Sequence, residues 1–289
     1  MKRKTLKELT LKDNFMFGAV MSIEDNCRRF LEMVLQFPIE RVEISREKSI
    51  VYHPEYKGVR LDVYASDTNN THYNVEMQAV SKPGLGKRAR YYHSQIDMEL
   101  LFSGADYPEL PNTYVIFICD FDPFGEARYC YTFEQRCLEC QTIQMEDGCR
   151  SIFLSTRGKN PQDVPAPMVK FLDYVRADLR ESQNNFDDDY VAALQTSVRN
   201  IKANREMEEN FMLWQLLLRD ERAEGRAEGR AEGRAEGRAA SILELLEERG
   251  EVSDILRARI LSEANMSTLA DWLKLAAKSE SVEQFMKEM

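Results

Sequence analysis

The stretch Arg60-Leu-Asp-Val-Tyr-Ala65, the polar run Ser66–Thr71 and the stretch Tyr73-Asn-Val-Glu-Met-Gln78 decide how this chain is read. Side chains on a strand alternate between faces with period two. Folded as a hairpin centred on Asn69, the pair puts Leu61, Val63, Ala65, Val75, Met77 and Ala79 on one face. Arg60, Asp62, Tyr64, Asn74, Glu76 and Gln78 fall on the other, with Asp62 opposite Glu76. Directly opposed residues have Cβ atoms about 5 Å apart. Two carboxylates so close repel unless they are exposed, protonated or sharing a cation. A Mg²⁺-type ion takes carboxylate, carbonyl and water oxygens, and the Met77 carbonyl is a third oxygen within the motif. The plainer alternative is the ordinary polar face of a half-buried sheet, with Arg60 pairing Glu76 diagonally.

Immediately downstream, Ser81-Lys-Pro-Gly-Leu-Gly-Lys-Arg-Ala-Arg90 places basic residues at a Gly-rich turn that enters a helix. Backbone N–H groups at a helix start attract phosphate, and Lys or Arg neutralise it. The same residues are equally compatible with a solvated helix entry. The spacing predicts a helix over Arg88–Phe102, anchored by Ile96, Leu100 and Leu101. It predicts strands over Val42–Tyr52, Val59–Ala65, Tyr73–Val80, Thr113–Phe121, Ala127–Phe133 and Ser151–Leu154. Strand, helix, strand implies a crossover, so an α/β fold with a mixed sheet is expected.

The flanks are helical. Before the strands, Phe15, Phe17, Val20, Met21, Phe30, Leu31, Val34 and Leu35 recur at helical spacing until Pro38. After them, residues 161–289 read as an all-helical extension interrupted by Ala-Glu-Gly-Arg repeated four times, Ala223 to Arg238. A four-residue repeat overshoots one helical turn by about 40°, so each residue type winds as its own stripe. Like charges at i,i+4 and a Gly in every turn disfavour a stable helix. A frayed, solvated helical spacer is the expectation, against an oligomerisation element or a flexible linker. Four segments follow: a core over 1–160, a helical extension over 161–222, the spacer over 223–238 and a small helical segment over 239–289, with Trp272, Leu273 and Phe285 as its core. Ser281 with Gln284 fits a capping box.

Composition bounds the rest. The chain has 289 residues, 43% hydrophobic and 30% charged, enough to bury a sizeable core. The net charge of −10 repels nucleic acid on average, so a nucleic-acid role needs a local basic patch. No apolar run approaches the length of a membrane span. With Met1-Lys2-Arg3-Lys4 not followed by an unbroken apolar stretch, a cytoplasmic protein is expected. The six cysteines are then reduced thiols. Cys137 and Cys140 form a CxxC that Cys130 and Cys149 could complete as a zinc quartet, but the spacing is irregular and packing is the simpler reading.

Asp62, then Glu76-Met-Gln78 on the next strand, between an N-terminal helix and a basic helix, resembles the PD-(D/E)XK nuclease superfamily. Within it, the chain more closely resembles the Rpn group, the recombination-promoting nucleases also labelled transposases. Leu11-Lys-Asp-Asn-Phe-Met-Phe17, the helix with Arg90-Tyr-Tyr-His93, the strand Tyr114–Asp120 and the Glu/Gly/Arg repeat carry that resemblance over about residues 5–240. It implies a nuclease-like mixed sheet flanked by helices and cleavage of DNA phosphodiester bonds with Mg²⁺, Mn²⁺ or Ca²⁺. Asp62 and Glu76 match the metal-binding carboxylates, with the Met77 carbonyl beside them. Gln78 stands where the superfamily usually has lysine, though the resembled group commonly has glutamine there. It would position the attacking water, while Lys87, Arg88 and Arg90 hold phosphate and compensate for the missing charge. Asp13 would support the metal from the first helix. A homodimer would bring two sites to the two strands of DNA, and no residue pattern marks its interface.

Overall fold

The computed structural model describes residues 4–50 and 59–289. The end of the first expected strand, at Tyr52, lies outside them. Chain order is α1 (Asn14–Met21), α2 (Glu24–Leu35), β1 (Val42–Ile50), β2 (Val59–Asp67), β3 (His72–Gln78), α3 (Leu85–Leu100), β4 (Thr113–Cys119), β5 (Cys130–Phe133) and β6 (Cys149–Ser155). Then come α4 (Ala166–Arg176), α5 (Asp189–Ala203), α6 (Arg205–Glu247), α7 (Asp254–Leu261), α8 (Met266–Lys278) and α9 (Val282–Glu288). The chain divides into two compact units, Met1–Phe211 and Met212–Met289.

In the first unit the strands form one sheet in the order β1-β2-β3-β4-β6-β5. β1, β2 and β3 are antiparallel neighbours, β3, β4 and β6 run parallel, and β5 pairs antiparallel with β6. The mixed sheet is therefore as expected, and α3 is its crossover. Parallel pairing of β3 with β4 forces the chain to travel back over the sheet. The helix leaving β3 thus begins at that strand's C-terminal end, beside Glu76 and Gln78.

The hairpin register is the one that the polar turn implies. Val63 pairs with Val75, Tyr64 with Asn74, Ala65 with Tyr73 and Ser66 with His72, a set centred on Asn69. The turn is held by one carboxylate. Asp67 Oδ1 accepts from the backbone N–H of Asn69 and of Thr71, each at 2.9 Å, and Oδ2 accepts from the Tyr73 hydroxyl at 2.7 Å. Asn70 takes the left-handed conformation, φ 57°, which Asn tolerates better than most residues.

Both faces of the sheet are covered. On one, Ala89, Tyr92 and Ile96 of α3 pack with Val115, Phe117, Cys119 and Phe153. Phe117 stacks on Phe153 at 5.2 Å and on Tyr92 at 6.1 Å. On the other face Val63, Ala65, Val75, Met77, Ile116 and Ile118 are buried. The helices α1, α2, α4 and α5 form an aromatic-rich layer in which Phe30 meets Phe171 at 5.3 Å and Phe171 meets Tyr190 at 6.0 Å. Every residue of β3 is buried, so the polar face read from alternation is not a solvated one. The helix after β3 lies across it.

In the second unit α7, α8, α9 and the end of α6 enclose a core of Ile242, Leu246, Leu256, Ile260, Leu269, Trp272 and Phe285. Ser281 caps α9 by accepting from the Gln284 N–H at 3.3 Å. Gln284 reaches back to the Glu280 N–H at 2.9 Å, one residue short of a capping box. The Ala-Glu-Gly-Arg tract is helical, as part of α6, and largely exposed where its burial is described. Arginine side chains offset the weak intrinsic propensity by bonding carbonyls one turn back, Arg226 Nε to Arg222 O at 3.0 Å and Arg234 Nε to Arg230 O at 3.1 Å.

Asp67→Ala removes three hydrogen bonds that set the register. It is expected to cost about 1–3 kcal/mol, read as a lower urea midpoint. An unchanged midpoint would contradict the role assigned to the turn.

Candidate active site

The paired register of β2 and β3 ends at Val63 and Val75. One position further, carboxylates accept the bonds that cross between the strands. The Asp62 N–H donates to Glu76 Oε1 and the Met77 N–H donates to Asp62 Oδ2, each at 3.1 Å. Asp62 and Glu76 are therefore brought together, as the hairpin arithmetic requires. Glu76 is fully buried, with 0% of its side chain exposed.

The cation that Glu76 meets comes from α3. Arg88 Nη2 donates to Glu76 Oε2 at 2.6 Å, Nη1 donates to Gln78 Oε1 at 3.0 Å, and Nε donates to the Tyr92 hydroxyl at 2.5 Å. The guanidinium also lies over the Tyr92 ring at 5.0 Å and the Phe117 ring at 5.7 Å. Gln78 Nε2 donates to the Met77 carbonyl at 3.0 Å, so both ends of this amide are engaged. Tyr92 sits at i+4 from Arg88 on the same helix face, and its hydroxyl is 3.5 Å from Glu76 Oε2.

The electrostatics are strained. Burial raises the Glu76 pKa, the neighbouring Asp62 charge raises it further, and Arg88 pulls it back. Asn74, two residues before Glu76 on the same face, weakly favours the charged carboxylate. Among the described residues, neither Asn74 Nδ2 nor Oδ1 has a hydrogen-bond partner within normal limits, although both are buried.

The other expected site residues are placed differently. Lys87 and Arg90 are exposed, whereas Arg88 turns inward, so the three do not form one patch. Asp13 stands at the N-cap position of α1, but its side chain turns back to the preceding segment, accepting from the Thr10 N–H at 2.7 Å and pairing with Lys4 at 2.7 Å. None of its hydrogen bonds reaches the carboxylate pair. Among the described residues there is no group of three or more His, Cys, Asp or Glu side chains gathered for a metal, which removes the zinc-quartet alternative. Tyr92 and Asn74 were not singled out in the sequence. Their signals were helical i,i+4 spacing from Arg88 and strand i,i+2 spacing from Glu76.

Residues 12–156 match the PD-(D/E)XK nuclease family transposase family. The chain belongs to that family. The match covers half of the sequence and contains the whole sheet, α3 and the carboxylate pair. No curated protein and no solved structure matches the chain. No helix among the described residues is long and apolar enough to cross a membrane.

The raised Glu76 pKa sets a pH dependence. A carboxyl that binds its proton more tightly folded than unfolded loses stability as pH rises from the ordinary glutamate range through the folded value. Without divalent ions, Glu76→Gln is expected to melt about 2–4 °C above the parent at pH 9, with the gap closing toward pH 5. A gap that does not vary with pH would contradict the burial argument.

Proposed function

We propose that this chain is a divalent-metal-dependent DNA endonuclease of the recombination-promoting type, hydrolysing phosphodiester bonds. The observation that carries the reading is Glu76, a fully buried carboxylate that touches a second acidic residue across the end of a strand pair. Such a charge needs a neighbouring cation, or else the carboxyl takes up a proton. Asp62, Glu76 and the Met77 carbonyl are all hard oxygen donors. They suit Mg²⁺, Mn²⁺ or Ca²⁺, and Mg²⁺ commonly takes only one or two carboxylates together with waters and substrate phosphate. The absence of a larger cluster among the described residues is consistent with that mode. A divalent ion held there supplies Lewis-acid polarisation of a phosphoryl oxygen and a more acidic water.

The chain's own groups do the remaining work. Lys87 and Arg90, exposed on the first turns of α3, bind phosphates of a DNA backbone despite the acidic whole. Arg88 supplies the positive charge that lysine brings in relatives of this superfamily. Gln78 orients water at the carboxylate pair through its amide. Ala89, Tyr92 and Phe117 keep bulk water from the inner side of the site, which strengthens each charge interaction there. A dimer would present two such sites to the two strands of a duplex.

A second reading has one observation in its favour. Both oxygens of Glu76 and both ends of Gln78 already have protein partners, as expected of a binding or regulatory scaffold that has lost catalysis. The two readings separate in a supercoiled-plasmid assay run across Mg²⁺, Mn²⁺ and Ca²⁺ at fixed salt. Cleavage is expected with at least one ion, and Asp62→Asn or Glu76→Gln should lower it by at least about 10²-fold. Full cleavage by either variant would refute the nuclease assignment to this pair. No cleavage, with no ion-dependent thermal shift, would favour the scaffold.

A further inference from the structure

All three guanidinium nitrogens of Arg88 are committed, Nη2 to Glu76, Nη1 to Gln78 and Nε to Tyr92. Three of its five N–H groups are thus engaged, one on each nitrogen. Glu76 has one oxygen on the Asp62 N–H and the other on Arg88. Gln78 spends its carbonyl oxygen on Arg88 and its NH₂ on the Met77 carbonyl. One side chain therefore ties up the carboxylate, the amide and, through that amide, the backbone oxygen.

We propose that Arg88 is an interlock: its guanidinium keeps the cation's place in the metal-free protein and leaves Glu76 and Gln78 when a divalent ion binds. Gln78 is then a positioning residue that holds Arg88 in its resting seat. The inference rests on the reading of Asp62 and Glu76 as a metal site. Glu76 turns Oε1 toward Asp62 and Oε2 toward Arg88, and a guanidinium and a divalent ion held on one buried carboxylate repel each other, which favours departure of the guanidinium when the ion binds. Arg88 has somewhere to go, because its side chain is 34% exposed while Glu76 is not exposed at all. Its guanidinium already lies over the flat rings of Tyr92 and Phe117, which keep a favourable contact available as it shifts off the carboxylate. Release would free three groups together: the carboxylate for the ion, the Gln78 oxygen for water and the guanidinium for a bidentate phosphate contact.

The test follows the guanidinium directly. Full-length protein carrying ¹⁵N-labelled arginine is titrated with Ca²⁺ in the absence of DNA, with the Arg88 resonances assigned by their loss in Arg88→Lys. The Arg88 N–H signals are expected to exchange slowly without metal and at least about tenfold faster with it, with the same midpoint as the calorimetric Ca²⁺ binding. Gln78→Met, which removes the latch and keeps the side-chain length, is expected to bind Ca²⁺ about threefold to tenfold more tightly. A glutamine that only oriented water would leave that affinity unchanged. Arg88 signals that stay protected at Ca²⁺ saturation, with binding abolished by Asp62→Asn, would overturn the interlock and leave the metal site standing. Binding that is absent, or that survives in both Asp62→Asn and Glu76→Gln, would overturn both.

Discussion

A carboxylate with no exposure to water has to be answered by positive charge or by a proton, and the arrangement around Glu76 follows from that requirement. Removing an ionised group from water costs several kcal/mol even after relaxation. Here a second acidic residue adds to the cost. The fold meets it with the element that topology makes available. Parallel pairing of β3 and β4 requires a crossover, the crossover starts where β3 ends, and the first turn of that helix delivers Arg88 to Glu76 at 2.6 Å. The strand register and the helix start are thus two halves of one electrostatic solution. The Asp67 turn fixes the first, because a slip of one residue would move Glu76 to the opposite face.

Much of this was legible from residue order. The sum of positions across the polar turn predicted the register that the strand pairs show, because a short turn leaves little freedom in how strands align. The strand–helix–strand order predicted the mixed sheet, because parallel neighbours cannot be joined by a tight turn. Other features were not legible, for physical reasons. Alternation along β3 marks Asn74, Glu76 and Gln78 as one face but cannot say that a helix will cover it. Adjacent basic residues at 87, 88 and 90 look like one patch in a linear string. Helical rotation of about 100° per residue sends Arg88 inward and leaves its neighbours outside. Asp13 reads as a site acid from its place in a motif, yet its carboxylate is bonded to Thr10 and Lys4 just ahead of its helix.

The C-terminal half teaches a different lesson about local propensity. Ala-Glu-Gly-Arg repeats carry a glycine each turn and like charges one turn apart, and intrinsic scales disfavour them. The tract is helical nonetheless within α6. Arginine stems bonding back to carbonyls help at Arg226 and Arg234. The helix end is also gripped by tertiary packing, with Ala239, Ile242, Leu243 and Leu246 buried in the core of the second unit. Extending a helix that is already nucleated costs far less than starting one.

The proposed interlock requires a single cation seat at Glu76, filled by guanidinium or by a divalent ion but never by both. Anomalous diffraction from crystals of the full chain grown with Mn²⁺ tests that most directly. The expected map has a peak between the Asp62 and Glu76 carboxylates, with Arg88 swung away from Glu76. Mn²⁺ bound elsewhere, or bound at the pair while the Arg88–Glu76 contact persists, would contradict it.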